Sequence, residues 1–155
     1  MNKPDDALAL DNQVCFALYA ANRAVTARYR PLLADLDLTY PQYLVMLVLW
    51  EEGRSGALTR VSDLGRRLRL DSGTLTPLLK RLEERGLLNR QRISQDERVV
   101  TLALTDAGWA LQEQARSVPH RLLCGVALQP ERLQALRQEL RAVLTALEGE
   151  AGSSD

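Results

Sequence analysis

Residues 59–108 decide the fold, and they read TRVSDLGRRLRL, then DSGTLTPLLKRLEERG, then LLNRQRISQDERVVTLALTDAG. The first two segments have the three- and four-residue apolar spacing of short helices. The third contains two runs of β-branched and aliphatic residues around a charged tip, which predicts a hairpin. Helix, turn, helix and two-stranded ribbon is the order of a winged helix-turn-helix. We therefore expect duplex DNA as the first partner to test.

The first predicted helix has a core side and a basic side. Val61, Leu64 and Leu68 recur at three and four residues, so they lie on one face of a helix. The residues left pointing mostly outward are Arg60, Arg66, Arg67 and Arg69. This helix is expected to support the second one.

The second predicted helix is the recognition helix. Asp71 is its expected N-cap and Gly86 its stop, and its core stripe is Leu75, Leu78, Leu79 and Leu82. The opposite face offers hydroxyls where base edges are approached, cations for phosphates or guanine, and a glycine that lets the backbone come close to DNA. The predicted contacts are Ser72, Gly73, Thr74, Thr76, Lys80 and Arg81. The alternative is an ordinary solvated helix face.

The predicted wing pairs residues 87–93 with residues 99–104 around a tip at 94–98. At that tip, Asp96 can orient the guanidinium of Arg98, and arginine suits the narrow, negative minor groove. The predicted wing contacts are Arg90, Arg92, Asp96 and Arg98. Taken alone, this acid and base pattern also fits a surface ion pair.

Charge is balanced over the whole chain but not along it. The 155 residues contain 20 Lys plus Arg and 20 Asp plus Glu, whereas residues 60–98 contain ten basic and six acidic residues. Such a local surplus fits a DNA footprint. Because the surplus is small, useful affinity is expected to need two copies, which predicts a homodimer on a palindromic operator.

The composition predicts a mostly α protein with a small antiparallel β-wing. Hydrophobic residues make up 46% of the chain but only one Phe and two Trp occur, so the core is aliphatic. We expect a single domain over 1–155, with a helical dimerisation layer at 10–53 and 105–148. The winged-helix module occupies 54–104, and residues 149–155 form a flexible tail.

The flanking helices have more apolar surface than the DNA module needs. One is predicted at 11–34, with Pro31 kinking or ending it, and one at 39–52, with Thr39 as N-cap and Pro41 in its first turn. Thr105 is expected to cap a helix that runs toward Pro119. A last helix opens at Pro130 and carries the seam Leu133, Leu136, Leu140, Leu144 and Leu147. The alternative is that this seam packs only on its own chain.

Several function classes have no support in the sequence. No run of about 18 apolar residues is present, and the start MNKPDDALAL is acidic, so we expect a cytoplasmic protein with no membrane contact. His120 is the only histidine and the two cysteines are dispersed, so no metal site is predicted. The glycines form no phosphate loop, and no cofactor is expected.

The two cysteines raise a sharper question. Cys15 and Cys124 form no C-x-x-C motif, and the simplest interpretation is two small buried hydrophobes. Cys15, however, is expected about one turn inside a helix, where free amide groups and the helix dipole favour a thiolate. Tyr19 lies four residues along the same face, and Tyr29 and Tyr40 lie where helices meet. Their hydroxyls either bond a thiolate or simply pack.

Three segments carry a specific resemblance. They are VCFALYAANRAVTARYRPLLADLDLTYPQYLVMLVLWE, DSGTLTPLLKRLEERGLL and RISQDERVVTLALTDAG. In them the chain resembles the MarR family of dimeric winged-helix regulators, and within it the organic-hydroperoxide-sensing repressors called OhrR. The resemblance implies a reduced dimer that represses a peroxidase operon and leaves DNA when a peroxide oxidises it.

The resemblance also implies roles for individual residues. Cys15 matches the peroxidatic cysteine, which becomes a sulfenic acid. Tyr29 and Tyr40 match the phenols that bond its thiolate from the partner subunit, and Tyr19 matches on the same helix. Cys124 matches the resolving thiol of the two-cysteine branch, which implies an intersubunit disulfide with Cys15. Capping of the sulfenic acid by a small thiol is the one-cysteine alternative.

We therefore predict a transcriptional repressor that senses organic hydroperoxides, and not an enzyme. One rival is a MarR-type repressor relieved by a non-covalent aromatic ligand in the dimer cleft, in which Cys15 only packs. A thiol peroxidase is another, but only distant arginines could supply a positive charge near Cys15, and an enzyme needs no basic wing. A nucleoid-type DNA binder without a switch would show salt-dependent binding without sequence preference.

Overall fold

The computed structural model describes residues 4–93 and 96–151. Short 3-10 turns at Pro4–Leu8 and Leu10–Asn12 precede the first α-helix. The helices are α1 (Val14–Ala34), α2 (Tyr40–Gly53), α3 (Val61–Leu68), α4 (Ser72–Glu84), α5 (Asp106–Ala115), α6 (Val118–Leu123) and α7 (Pro130–Ala151). The strands are β1 (Thr59–Arg60), β2 (Leu88–Ile93) and β3 (Asp96–Leu104). This architecture confirms the predicted fold class, mostly α with a small antiparallel sheet.

Helix α2 is the centre of the core. Thr39 caps it as predicted, because the Thr39 hydroxyl accepts from the Gln42 backbone N–H at 3.4 Å and the Gln42 side chain accepts from the Thr39 N–H at 3.0 Å. Pro41 occupies the first turn, where no N–H is needed. The buried residues of α2 are Gln42, Tyr43, Val45, Met46, Val48, Leu49 and Trp50. A helix that is apolar nearly all round belongs inside a protein.

Helix α1 starts later than predicted and tolerates its proline. The expected start at residue 11 is wrong because the chain there forms a tighter turn, in which the Gln13 side-chain amide donates to the Ala7 carbonyl at 2.6 Å and to the Ala9 carbonyl at 3.1 Å. Pro31 does not end α1 at once, since the helix continues to Ala34. A proline so close to the C-terminus disturbs only the last turn.

The predicted signals at both ends of α4 are confirmed. The Asp71 carboxylate accepts from the Thr74 N–H at 2.7 Å. At the other end, Gly86 has φ 72° and its N–H donates to the Glu83 carbonyl at 2.9 Å, while the Leu87 N–H donates to the Leu82 carbonyl at 3.0 Å. This pair of bonds is a Schellman motif, which needs a residue with positive φ at the Gly86 position.

The sheet has one more strand, and a shorter tip, than predicted. Its order is β1, β3, β2, and Thr59 of β1 lies opposite Leu102 of β3. An irregular register after Arg92 places Ile93 opposite Asp96, so pairing continues almost to the end of the hairpin. The predicted tip at 94–98 is therefore too long, and Arg98 lies in β3. Residues 94 and 95, and the side chain of Asp96, lie outside the described part of the chain.

Two predicted boundaries in the C-terminal part are also wrong. Thr105 caps α5 as expected, its hydroxyl accepting from the Gly108 N–H at 3.1 Å, but α5 ends at Ala115 and a separate α6 follows. Helix α7 extends to Ala151, so residues 149–151 are helical instead of forming the start of a tail. Good helix formers around Gly149 carry the helix past that glycine. Residues 152–155 lie outside the described range.

The chain divides into two compact units, Met1–Leu122 and Leu123–Asp155, and the single domain expected over 1–155 stays a prediction. The first unit contains the core and the winged helix. The second is built on α7, whose seam leaves Leu136 52% exposed and Leu147 62% exposed. Periodicity predicted this helix correctly, but a single sequence does not reveal which surface such a seam packs against.

We expect Gly108→Ala to destabilise the fold strongly. A Cβ at Gly108 would stand 2.1 Å from the Leu87 carbonyl oxygen, which already accepts from the Thr105 N–H at 3.1 Å. The indole N–H of Trp50 also donates to the Gly108 carbonyl, at 2.9 Å. Overpacking of this kind costs about 1–3 kcal/mol and sometimes more. Urea unfolding measures the loss.

Gly149→Ala is the matched control for this substitution. A Cβ at Gly149 meets no described atom within 4 Å, and the residue lies in a helix. Alanine is expected to stabilise that position by up to about 1 kcal/mol. Equal stability of the Gly108→Ala and Gly149→Ala proteins would contradict the close packing of α5 against the start of the wing.

Candidate nucleic-acid interface and redox site

Helix α4 presents the face that the sequence predicted for DNA. Leu75, Leu79 and Leu82 are buried on one side. The six predicted contact residues are all exposed, namely Ser72, Gly73, Thr74, Thr76, Lys80 and Arg81. At the start of this face, the hydrogen bonds from Thr74 hold the pKa of Asp71 below its usual value. The hydroxyl-bearing end of α4 is therefore firmly capped and open to a ligand.

Gly73 has no structural reason to be a glycine. Its φ is not positive, and the described atom nearest to an added Cβ is Asp71 Oδ1 at 3.4 Å. Neither the backbone conformation nor the internal packing at this position requires the absence of a side chain. What the glycine does provide is exposed backbone at the N-terminal end of α4, where another molecule can approach closely.

The wing arginines fall into two groups. Arg92 and Arg98 are exposed on neighbouring strands. Arg90 instead faces Glu83 at the end of α4: its Nε lies 3.2 Å and its Nη2 3.0 Å from Glu83 Oε1, while its backbone N–H donates to Glu83 Oε2 at 2.9 Å. These bonds lower the pKa of Glu83. Sequence reasoning missed Glu83, because contacts between a helix and the next strand have no periodic signal.

A second ion-pair network joins α2 to the DNA module. Arg67 of α3 lies 3.3 Å from Glu52 Oε1 and also pairs with Glu51, which raises the pKa of Arg67. The buried Thr59 hydroxyl donates to Glu52 Oε2 at 2.5 Å. Thus the C-terminal end of α2 holds both α3 and β1. Helical periodicity predicted only that Arg67 points outward, and no sequence pattern indicated a role for Glu51 or Glu52.

Three tyrosines cluster where α1 meets α2. The ring centroids of Tyr29 and Tyr40 are 4.6 Å apart, and Tyr43 lies 5.7 Å from Tyr29. Burial raises the pKa of Tyr29 to about 12, and the neighbouring rings of Tyr40 and Tyr43 add to the rise. Tyr29 therefore keeps its proton at neutral pH and is a hydrogen-bond donor. The sequence predicted the position of Tyr29 and Tyr40, and Tyr43 completes the cluster.

Cys15 is separated from this cluster within its own chain. It is exposed, not buried, and is the second residue of α1. Tyr29 lies on the same helix fourteen residues further on, which is about 21 Å along the axis at the rise of an α-helix. Tyr19 is closer, but its hydroxyl accepts from Arg23 Nη1 at 3.2 Å. A hydrogen bond between Cys15 and Tyr29 therefore requires a second subunit.

Cys124 directly follows the last residue of α6 and is exposed. The residues before it are anchored on α1, because Arg28 Nε donates to the Leu122 carbonyl and Arg121 Nη1 lies 3.6 Å from Asp35 Oδ2. No disulfide joins Cys124 to Cys15 in the described part of the chain. Both thiols are therefore accessible to solvent.

The described residues contain neither a metal-binding cluster nor a membrane-spanning helix. No group of three or more His, Cys, Asp or Glu side chains in 4–93 and 96–151 has the arrangement of a metal site. Over the same residues, no helix is both long enough and apolar enough to span a bilayer.

We expect the raised pKa of Tyr29 to be visible in solution. An unfolded chain has a tyrosine pKa of about 10. Because the folded chain binds this proton more tightly, the stability from Tyr29 is complete below about pH 10 and is lost as the pH rises through about 12. Because burial also raises the pKa of Tyr40 and Tyr43, ultraviolet titration of tyrosinate should show a late component that loses the amplitude of one tyrosine in Tyr29→Phe and is unchanged in Tyr19→Phe. An unchanged late amplitude in Tyr29→Phe would contradict the burial of this phenol.

A capped helix-turn-helix with an exposed basic face, followed by a β-wing, defines a winged-helix DNA-binding protein. Residues 27–114 match the family of transcriptional regulators described as SarA/Rot. The chain belongs to the MarR family of winged-helix regulators, and it is a DNA-binding transcriptional regulator and not an enzyme.

Two curated relatives align over nearly the whole chain. An organic hydroperoxide resistance transcriptional regulator from Bacillus subtilis (strain 168) is 46% identical over 148 residues, which are 95% of this chain and 97% of the relative. The HTH-type transcriptional regulator TtmR from Methylorubrum extorquens (strain PA1) is 49% identical over 154 residues, 97% of this chain and 75% of the relative. The expected class of regulator is thereby confirmed.

A solved structure of reduced AbfR bound to DNA resembles this fold with a TM-score of 0.73 and 35% identity, covering 94% of this chain and 99% of the other. AbfR, a protein of Staphylococcus epidermidis, has also been solved in an overoxidised form bound to DNA, at a TM-score of 0.74, and in a disulfide form, at 0.60. For the latter the aligned regions cover 90% of this chain and 96% of the other.

Proposed function

We propose that this chain is a dimeric repressor that leaves a palindromic operator when an organic hydroperoxide oxidises Cys15. One observation carries the proposal: Cys15 is exposed in the first turn of α1, in a chain 46% identical to an organic hydroperoxide resistance regulator. A thiol there is accessible to a peroxide and lies beside unpaired backbone N–H groups at the helix start.

A dimer would supply what Cys15 lacks within its own subunit. Exposed apolar residues on α1 and α7 are available for an interface, including Phe16, Leu18, Leu140 and Val143. In the proposed dimer, Tyr29 and Tyr40 of one subunit approach Cys15 of the other and donate hydrogen bonds to its thiolate. The stacking of Tyr29 on Tyr40, with ring centroids 4.6 Å apart, supports this role because it places the two phenols side by side. Tyr19 is the third proposed contributor.

The chemistry proceeds in two steps. The Cys15 thiolate attacks the distal oxygen of the hydroperoxide, so a sulfur–oxygen bond forms, the oxygen–oxygen bond breaks, and the alkoxide takes a proton and leaves as an alcohol. The thiolate of Cys124, from the partner subunit, then attacks the sulfenic sulfur of Cys15. A disulfide forms and the hydroxyl takes a proton and leaves as water. Cellular thiols reduce the disulfide and restore the DNA-binding form.

Helix α2 is the proposed link between oxidation and DNA release. Tyr40 and Tyr43 lie in its first turn, next to Tyr29, while Glu51 and Glu52 at its other end hold α3 and β1. In the proposed disulfide the Cys15 sulfur is drawn toward Cys124 and away from the phenols, whereas a serine or sulfenic oxygen at position 15 can still accept from them. A shift at the N-terminal end of this packed helix would therefore move the DNA module at the other end.

The states in which AbfR has been solved suggest which step releases DNA. A relative that binds DNA when reduced and when overoxidised, and that also forms a disulfide, points to the disulfide as the releasing state. We therefore propose that the disulfide between Cys15 and Cys124, rather than the sulfenic acid alone, drives release.

Cys124→Ser tests the proposed function directly. Fluorescence anisotropy follows a labelled duplex from the region upstream of this protein's gene while cumene hydroperoxide is added. Wild type should leave the DNA, form a covalent dimer on a non-reducing gel and rebind after a dithiol. In the Cys124→Ser protein, Cys15 should be oxidised to the sulfenic acid, but the protein should stay bound to the DNA. Release of Cys124→Ser at the wild-type dose would contradict the two-cysteine mechanism and favour the sulfenic acid or a mixed disulfide.

One cavity favours a second candidate function, relief by a small ligand. It has a volume of about 310 Å³, and Tyr43, Leu47, Trp50, Arg54 and Arg116 are among its lining residues. Aromatic walls and two guanidinium groups suit an aromatic carboxylate. If this were the signal, benzoate would release Cys15→Ser from DNA as readily as it releases the wild type.

A further inference from the structure

Glu83 and Arg90 tie the recognition helix to the wing through three contacts. The guanidinium of Arg90 approaches Glu83 Oε1 through Nε at 3.2 Å and Nη2 at 3.0 Å, and the Arg90 backbone N–H donates to Glu83 Oε2 at 2.9 Å. Their side chains are only 34% and 32% exposed. Both oxygens of the carboxylate are therefore used, and they bind the backbone as well as the side chain of β2.

The backbone contact gives this pair its structural importance. Strand β2 is an edge strand, because the sheet order is β1, β3, β2. An edge strand has backbone N–H groups that no neighbouring strand accepts. Glu83 of α4 accepts one of them, from Arg90, and so holds the start of β2 in position against α4. By contrast, Arg92, two residues nearer the end of the strand, is exposed.

This geometry assigns Arg90 a role different from a phosphate contact. The Arg90 guanidinium donates to one Glu83 oxygen through both Nε and Nη2, so its charge is already neutralised, and a phosphate would have to displace Glu83 to bind it. The wing and the recognition helix read neighbouring grooves, so the angle between them decides which DNA geometry fits both.

We propose that Glu83 and Arg90 form a positioning clamp that sets the wing against the recognition helix and thereby contributes to sequence specificity. This inference rests on DNA binding by the chain and not on peroxide sensing. Its test uses reduced protein without oxidant, on duplexes selected from a random library with the wild type. Failure of the clamp therefore leaves the proposed redox function untouched.

The sign of the Glu83→Ala effect separates the clamp from a plain surface charge. Removing an acidic residue near DNA should tighten binding by ordinary electrostatics. The clamp predicts the opposite for selected sites: Glu83→Ala weakens binding roughly tenfold, while binding to random duplex stays equal or tightens. Glu84→Ala is the matched control, since Glu84 is an exposed acid on the same helix. It should bind selected DNA as well as the wild type or better.

Arg90→Ala and the double variant complete the test. If Arg90 contacted a phosphate, its loss would reduce the salt dependence of binding by about one counterion per subunit. The clamp predicts an unchanged salt slope, and a double variant no weaker than either single one. Thermal unfolding checks that each protein remains folded, and Glu83→Asp, one methylene shorter, provides an intermediate case. Selected-site binding by Glu83→Ala as tight as by Glu84→Ala would overturn the proposal.

Discussion

A Cys15→Ser protein is expected to bind its DNA site as tightly as the reduced wild type and to stay bound when an organic hydroperoxide is added. Serine has nearly the shape of cysteine, so the start of α1 and the DNA module should be unchanged. Its hydroxyl is not ionised at neutral pH and does not attack a peroxide. Because Cys15 is exposed, this substitution should cause only a small loss of packing, and the effect on the response to peroxide should be much larger.

The difference between the two proteins should be large. Coupling between distant sites typically changes affinity by about 5- to 150-fold, and loss of wild-type binding after oxidation should lie in the upper part of that range. Anisotropy titrations before and after cumene hydroperoxide measure it. Oxidant-dependent release of Cys15→Ser would place the sensor elsewhere. Weak binding by the reduced Cys15→Ser protein would instead show that Cys15 stabilises the DNA-competent form.

Arg98→Ala should weaken DNA binding strongly while thiol oxidation proceeds as in the wild type. Arg98 is exposed on β3, in the wing and away from the start of α1. An arginine contact to DNA contributes about 1–3 kcal/mol, and a dimer loses two of them. Two such losses amount to about 2–6 kcal/mol, so affinity is expected to fall roughly thirtyfold or more.

Arg116→Ala is the control for Arg98→Ala. Arg116 is an exposed arginine that pairs with Glu113 after α5, outside the DNA surface. Its loss changes the net charge by the same amount but removes no proposed DNA contact. A salt titration should give a smaller slope for Arg98→Ala and a wild-type slope for Arg116→Ala. Identical affinities of the two variants would contradict the assignment of Arg98 to the wing contact.

The parts of the fold that were predictable are those with local chemical signals. Three helix starts were predictable from their N-cap residues, which are Thr39, Asp71 and Thr105. An N-cap side chain bonds a backbone N–H only a few residues away, so the signal is local in sequence. Gly86 predicted the end of α4 because glycine readily adopts the positive φ found there. The two-residue strand β1 was missed because it is too short for an alternating pattern. Its place in the sheet depends on β3, forty residues away.

For the candidate site, the sequence predicted which side chains are exposed but not which residues they contact. All six proposed contacts on α4 are exposed, as helical periodicity predicted. Arg90 lies two residues before Arg92 on the same strand and is the same residue type, yet it binds Glu83. Likewise, Cys15 and Tyr29 share one helix but lie too far apart to touch within it. Contacts of this kind depend on tertiary geometry or on a second subunit, neither of which a single sequence specifies.

The proposed mechanism requires that oxidation of Cys15 releases DNA. The most direct measurement takes anisotropy and intact mass from the same samples while cumene hydroperoxide is added in sub-stoichiometric steps. We expect the fraction of DNA released to rise in proportion to the fraction of protein in which Cys15 is oxidised and joined to Cys124. DNA release while Cys15 remains a thiol, or full retention of DNA once that disulfide has formed, would contradict it.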